Sequence, residues 1–184
     1  KQKKTSNRSR AGGINELQKL LQSALELHQS GRVDEAELLY RKILDKNPNH
    51  ADALHLSGLI AQQNGNLQAA VSLIQKAIRN NPAVALYHAN LGSIFLACGQ
   101  WEAARDCYQK VIQIEPGNKE AYYNLGETFM NLGDMDEARK NFQHVTTIDP
   151  GFAQAHDRLG FIFARLELLD EAEACFHKAL KLNP

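Results

Sequence analysis

The chain has 184 residues, 43% hydrophobic and 23% charged, with 21 basic and 21 acidic residues and a formal net charge of zero. That balance is ordinary for a soluble globular protein with room for a sizeable core. No apolar run approaches the ~20 residues that span a bilayer, and Lys1-Gln2-Lys3-Lys4 is followed by polar residues rather than by the apolar stretch of a secretory leader. Residues 1–13 hold Lys1, Lys3, Lys4, Arg8 and Arg10 and no acid, so 16 basic residues face 21 acidic ones beyond them. A mildly acidic body speaks against wrapping nucleic acid, which needs clustered Lys and Arg. Three cysteines (Cys98, Cys107, Cys175) without a CxxC pair fit a reducing, cytoplasmic setting rather than a disulfide framework.

The first predicted element is a basic, flexible tail over residues 1–13, read as a solvated linker. Because residue 1 is not Met, the sequence is expected to be cut from a longer chain. Beyond the tail, all five prolines stand at 48, 82, 116, 150 and 184, each 34 residues after the last. Ala36, Ala70, Ala104, Ala138 and Ala172 keep the same period, as do Gly58, Gly92, Gly126 and Gly160, and Gly31, Gly65, Gly99 and Gly133. A fixed period of this size marks a helical solenoid, whose units are predicted at 17–50, 51–84, 85–118, 119–152 and 153–184 within a domain of residues 14–184.

Each unit reads as two antiparallel helices, most clearly in the fourth. Tyr122, Leu125, Gly126 and Phe129 recur at i, i+3, i+4 and i+7, one face of a first helix. Gly133 ends it in the left-handed conformation that glycine enters at least cost. Asp136 and Glu137 suit the exposed amides at the start of a second helix, and Met135, Ala138, Phe142 and Val145 give that helix its apolar side. Asp149-Pro150 closes it, since proline disfavours helical geometry in the residue before it. Gly126 and Ala138 let the two helices approach, and the aromatic residues fill the space between hairpins. The first unit departs from this scheme with Ser23-Ala24 and the fifth with Glu167 in place of the hairpin glycine. Trp101, at the position of Val33, Leu67, Met135 and Leu169, is expected in the core.

Leu91-Gly92, Phe95, Gly99, Ala104, Tyr108 and Pro116, with near-copies beginning at Leu125-Gly126 and Leu159-Gly160, resemble the tetratricopeptide repeat. The resemblance covers residues 17–184. It implies an all-α, right-handed solenoid of five antiparallel hairpins, whose first helices line a concave groove for a peptide or partner protein. Groove positions implied by the family are His55 and Leu59 in the second repeat and Asn90 and Ser93 in the third. The fourth contributes Tyr123, Asn124, Glu127 and Asn131, and the fifth Arg158, Phe161 and Arg165.

The carboxylate clamp of chaperone-binding members does not fit. Asn124 and Arg158 match it, but Ala89, Ser93 and Gln154 replace its Lys, Asn and Lys, which removes the charge-assisted bonds to two carboxylates. Asn90 and Asn124 resemble instead the asparagine ladder in the array of O-linked N-acetylglucosamine transferase, where an amide's donor and acceptor grip an extended backbone. Gln22, Leu56 and Arg158 interrupt the ladder, and bonds to neighbouring repeats or water are the competing role for the two asparagines. The stretches Leu38–Leu44 and His50–His55 resemble repeats fused to bacterial transferases.

The expectations are therefore a non-catalytic interaction scaffold without cofactor, metal site, nucleic-acid partner or membrane span. The alternatives are the substrate-recruiting arm of a larger glycosyltransferase-like enzyme, and a self-assembling oligomer that pairs through Phe176, Ala179, Leu180 and Leu182. The seven histidines show no HxxxH spacing, and the recurring pairs Asp34-Glu35, Asp136-Glu137 and Asp170-Glu171 are helix starts rather than catalytic carboxylates.

Overall fold

The computed structural model describes the backbone of residues 2–183 and the side chains of residues 16–183. It divides into two units, residues 1–83 and 84–184. The first holds helices α1 (Gln2–Gln29), α2 (Val33–Lys46), α3 (Ala51–Gln63) and α4 (Leu67–Asn80). The second holds α5 (Ala85–Ala97), α6 (Trp101–Ile114), α7 (Lys119–Leu132), α8 (Met135–Ile148), α9 (Ala153–Arg165) and α10 (Leu169–Leu182). No strand occurs among the described residues, and the consecutive pairs α1–α2 to α9–α10 are the five expected hairpins. The backbone of the basic segment is part of α1, but its side chains, and so any role of its charges, lie outside the described residues.

The punctuation of the fourth hairpin follows from local chemistry. Asn118 caps α7 by accepting a hydrogen bond on Oδ1 from the Ala121 amide at 2.9 Å, and Asp134 caps α8 from the Glu137 amide at 3.1 Å. Between them Gly133 takes φ 82°, and the Asp134 amide reaches back to the Phe129 carbonyl at 2.9 Å. The same left-handed turn recurs in the last hairpin without glycine, where Glu167 adopts φ 59°. Packing of α9 against α10 imposes the turn although the side chain opposes it.

Within each unit, packing joins one hairpin to the next. In the first unit Ala24, Ala36, Tyr40, Ile43, Ala53 and Ile60 form one core, tying α1 and α2 to α3. In the second unit Ala85, Val111 and Ala121 link α5, α6 and α7, and Ala138, Phe142, Leu159 and Ile162 link α8 to α9. Small residues set the spacing: a Cβ on Gly126 would meet the Phe142 ring at 2.7 Å, and one on Gly160 the Phe176 ring at 2.7 Å. Trp101 departs from expectation. It is 36% exposed, because the first residue of α6 has no preceding turn to cover it. Cys107 is buried, which pushes its thiol up to about 11, aided by Asp106, and keeps it a packing residue.

Candidate functional site

The site is built in the second unit on the first helices of its hairpins, α5, α7 and α9. At its centre the Arg158 guanidinium on α9 donates through Nε to Glu127 Oε1 on α7 at 2.5 Å, bridging two hairpins. Tyr123, one turn before Glu127, also hydrogen-bonds Arg158. Burial, with the Glu127 carboxylate adding, raises the Tyr123 hydroxyl above the ordinary phenol range, against the pull of Arg158. The Tyr123 ring sits edge-on to Phe142 with centroids 5.5 Å apart and lies 5.3 Å from Phe152. These contacts fix one rotamer and leave the phenol on the helix surface.

Around this centre the other expected residues take different roles. Asn124 is partly exposed, and its side-chain amide has no hydrogen bond among the described residues. Its backbone carbonyl accepts from Thr128 Oγ1 at 2.7 Å. Asn131, by contrast, turns its amide back to the Glu127 carbonyl at 2.8 Å. Asn90 is partly exposed and engaged by a neighbour, while Ser93 is exposed and bonds the Tyr108 hydroxyl. Phe161 is 40% exposed with the Arg165 guanidinium 6.0 Å over its ring, a cation–π pair on α9.

In the first unit Leu59 is partly exposed, but His55 is only 3% exposed, so its ring is not presented to a ligand. The reason is the width of the buried face of α3. Ala53, Leu54 and His55 are consecutive and all buried, an arc of about 200° at ~100° per residue. Burial pushes the His55 imidazole down to about 4, with Asp52 acting the other way. Other histidines serve packing and capping: His50 Nδ1 accepts from the Ala53 amide at 3.4 Å, His156 Nε2 meets the Pro150 carbonyl at 3.1 Å, and the His144 ring lies tilted against Tyr122 with centroids 4.1 Å apart.

Lys119 Nζ pairs with Asp149 Oδ2 at 2.5 Å and stands 5.6 Å above the Phe152 ring, holding the two ends of the fourth hairpin together beside Tyr123. The Gly151 amide bonds the same carboxylate's Oδ1 at 2.9 Å, and Lys119 and that amide together hold Asp149 below the usual carboxylate range. The sequence signal is faint: a basic residue and an acidic residue 30 apart, at the start and end of one unit. Next to this cluster lies a cavity of about 490 Å³ lined by Tyr123, Asp157, Arg158, Phe176, Ala179 and Leu180, among others.

Helical hairpins with a glycine-spaced interior and polar first-helix faces define a repeat protein of the helix–turn–helix solenoid class. Family models described as "TPR repeat" match residues 92–133, and models described as "Tetratricopeptide repeat" match residues 21–85, 119–152 and 153–184. The chain belongs to the tetratricopeptide-repeat family. Among solved structures it is similar to MamA, at 28% identity over 86% of this chain and 93% of that one, with a TM-score of 0.81. It is also similar to YrrB, described as a TPR protein with an unusual peptide-binding site, at 25% identity over 90% of this chain and 85% of that one, TM-score 0.79. MamA 41-end from Desulfovibrio magneticus RS-1, 21% identical over 90% of this chain and 94% of that one with a TM-score of 0.82, shows the same fold. No curated protein sequence matches. Among the described residues no helix is long and apolar enough to cross a membrane.

Proposed function

We propose that the chain is a non-catalytic interaction scaffold that binds an extended peptide segment along the first helices of residues 84–184. The observation that carries this reading is the Asn124 amide. It is partly exposed, unclaimed by any described residue, and set between Tyr123 and Glu127, whose own geometry is fixed by Arg158. A free amide on a rigid helix offers one acceptor and two donors to a passing backbone without regard to its side chains. The neighbouring Tyr123 and Phe161 add apolar contact, and the pairing of Arg158 with Glu127 keeps this cation from acting as a lone carboxylate receptor. Similarity to YrrB, a TPR protein with a peptide-binding site, supports the same reading.

The test is selection of peptides from a random phage-displayed library on the 184-residue chain, followed by titration of the best binder against Asn90→Ala with Asn124→Ala. The double variant is expected to weaken binding at least tenfold with helicity unchanged. Equal affinity for both proteins removes the two asparagines from the site.

A further inference from the structure

Leu91, Leu125 and Leu159 occupy one repeat position, and Phe95, Phe129 and Phe163 the position one turn on. In the second unit these pairs fill the joints between hairpins. Leu125 and Phe129 of α7 share a core with Tyr108 and Ile112 of α6, and Leu159 and Phe163 of α9 share one with Phe142 of α8. On α3 the same two positions hold Ser57 and Ala61. Both large side chains are thus replaced by small ones on one helical face, and a cleft of about 370 Å³ lies there, lined by α2, α3 and α4. Its walls fall within residues 37–73, with α1 before them and α5 after them in the chain, so the cleft is internal to the sequence. Ser57 Oγ is shut off from solvent and has no hydrogen-bond partner among the described residues, a cost that a joint built only for packing does not incur.

The lining narrows the occupant. Leu44, Ile60, Ala61, Ala69 and Leu73 give an apolar interior. The only charged lining groups, Glu37 and Arg41, pair with each other at 2.7 Å, so no lone charge faces the cleft. Asn66 spends Oδ1 on the Ala69 amide at 3.1 Å, which leaves its NH2 group as a donor, and the Asn64 side chain has no hydrogen bond among the described residues. Aliphatic walls of this kind take small aromatic molecules, and neutral polar groups at the rim orient them. Asp45 and Ser72, one turn on from Arg41 and Ala69, are exposed. A docked protein chain strips such groups of water, whereas a molecule held within the cleft does not.

We propose that this cleft binds a small, uncharged aromatic molecule carrying one hydrogen-bonding group. Its ring takes the space that leucine and phenylalanine fill at the other joints, and its polar group turns to the Asn64 and Asn66 amides. The site lies in the first unit and is independent of the peptide reading of residues 84–184.

The probe is 4-fluorophenol, titrated with the 184-residue protein near pH 7, where a phenol is uncharged, and followed by fluorine NMR. Saturable binding is expected, with 4-fluorobenzoate at least tenfold weaker because its charge finds no partner. Ser57→Leu with Ala61→Phe installs the side chains of the other joints; it weakens binding at least tenfold and raises the melting temperature. Ala61→Leu alone fills less of the cleft, leaves circular dichroism unchanged and weakens binding at least threefold, so the result does not hang on the folding of the double variant. Asn90→Ala with Asn124→Ala leaves the isotherm within about twofold, which separates the cleft from the peptide site proposed above. A response that does not saturate overturns the proposal, as does an isotherm unmoved by Ala61→Leu. Displacement of the probe by N-acetyl-tyrosinamide at lower concentration than by p-cresol overturns it too, because the occupant is then a side chain of another protein chain.

Discussion

The Phe142 ring lies against Gly126 so closely that a methyl group on that glycine would sit 2.7 Å from the ring edge. The contact locks α7 to α8 and, because Phe142 also meets the Tyr123 ring, ties the core of the hairpin to the rotamer of a site residue. Gly126→Ala gains about 1 kcal/mol of helix propensity but forces a buried ring to move, at about 1–3 kcal/mol. At Gly92 the nearest atoms are 3.1 Å away, so alanine is better tolerated there. Urea unfolding is expected to rank Gly126→Ala as less stable than Gly92→Ala. The reverse order removes the ring contact as the cause.

Glu167 stands at φ 59° where four other hairpins use glycine. A non-glycine residue in that region costs roughly 1–2 kcal/mol, partly offset by the greater entropy glycine loses on folding. Glu167→Gly is therefore expected to stabilise the chain by about 0.5–1 kcal/mol, read as a rise in melting temperature. A lower melting temperature shows that the glutamate side chain contributes more than its backbone costs.

His55 gives stability a dependence on pH. Folded, its imidazole protonates only near 4, whereas in the unfolded chain it does so near the ordinary value of about 6.5. Between these values the unfolded state binds the extra proton, so stability falls as pH drops from about 6.5 to 4 and is unaffected by His55 above that window. Asp52, the charged group acting on the ring, opposes the shift without cancelling it. The urea midpoint of the parent protein at pH 7 and pH 5 should differ more than that of His55→Gln; equal differences rule out His55 as the sensor.

Glu127 and Arg158 join α7 to α9 through a partly exposed bridge. Pairs of this kind contribute about 0.2–1 kcal/mol. A double-mutant cycle of Glu127→Ala and Arg158→Ala is expected to return a coupling in that range, falling with added salt. No coupling at low salt separates the two hairpins energetically at this point.

The hairpins were legible in the sequence because the constraint that shapes them is local and repeated. A glycine of positive φ separates the two helices in four of the five hairpins, Asn66, Asn118 and Asp134 cap the helices they precede, and Gly58, Gly92, Gly126 and Gly160 each face a bulky side chain of the second helix; each demand is met within one 34-residue unit and the pattern recurs along the chain. Thus the family, the five units and the small residues at their centres follow from the sequence alone. The state of individual side chains does not, because it depends on how many neighbours surround a helix. His55 and Asn124 both stand on first helices, yet His55 belongs to the wide buried face of α3, while Asn124 on α7 stays partly exposed. Only the tertiary structure spent Arg158 on Glu127, left Trp101 half-covered and set Phe176 under an open cavity, since burial and pairing are properties of what lies across a joint rather than of the residue that forms it.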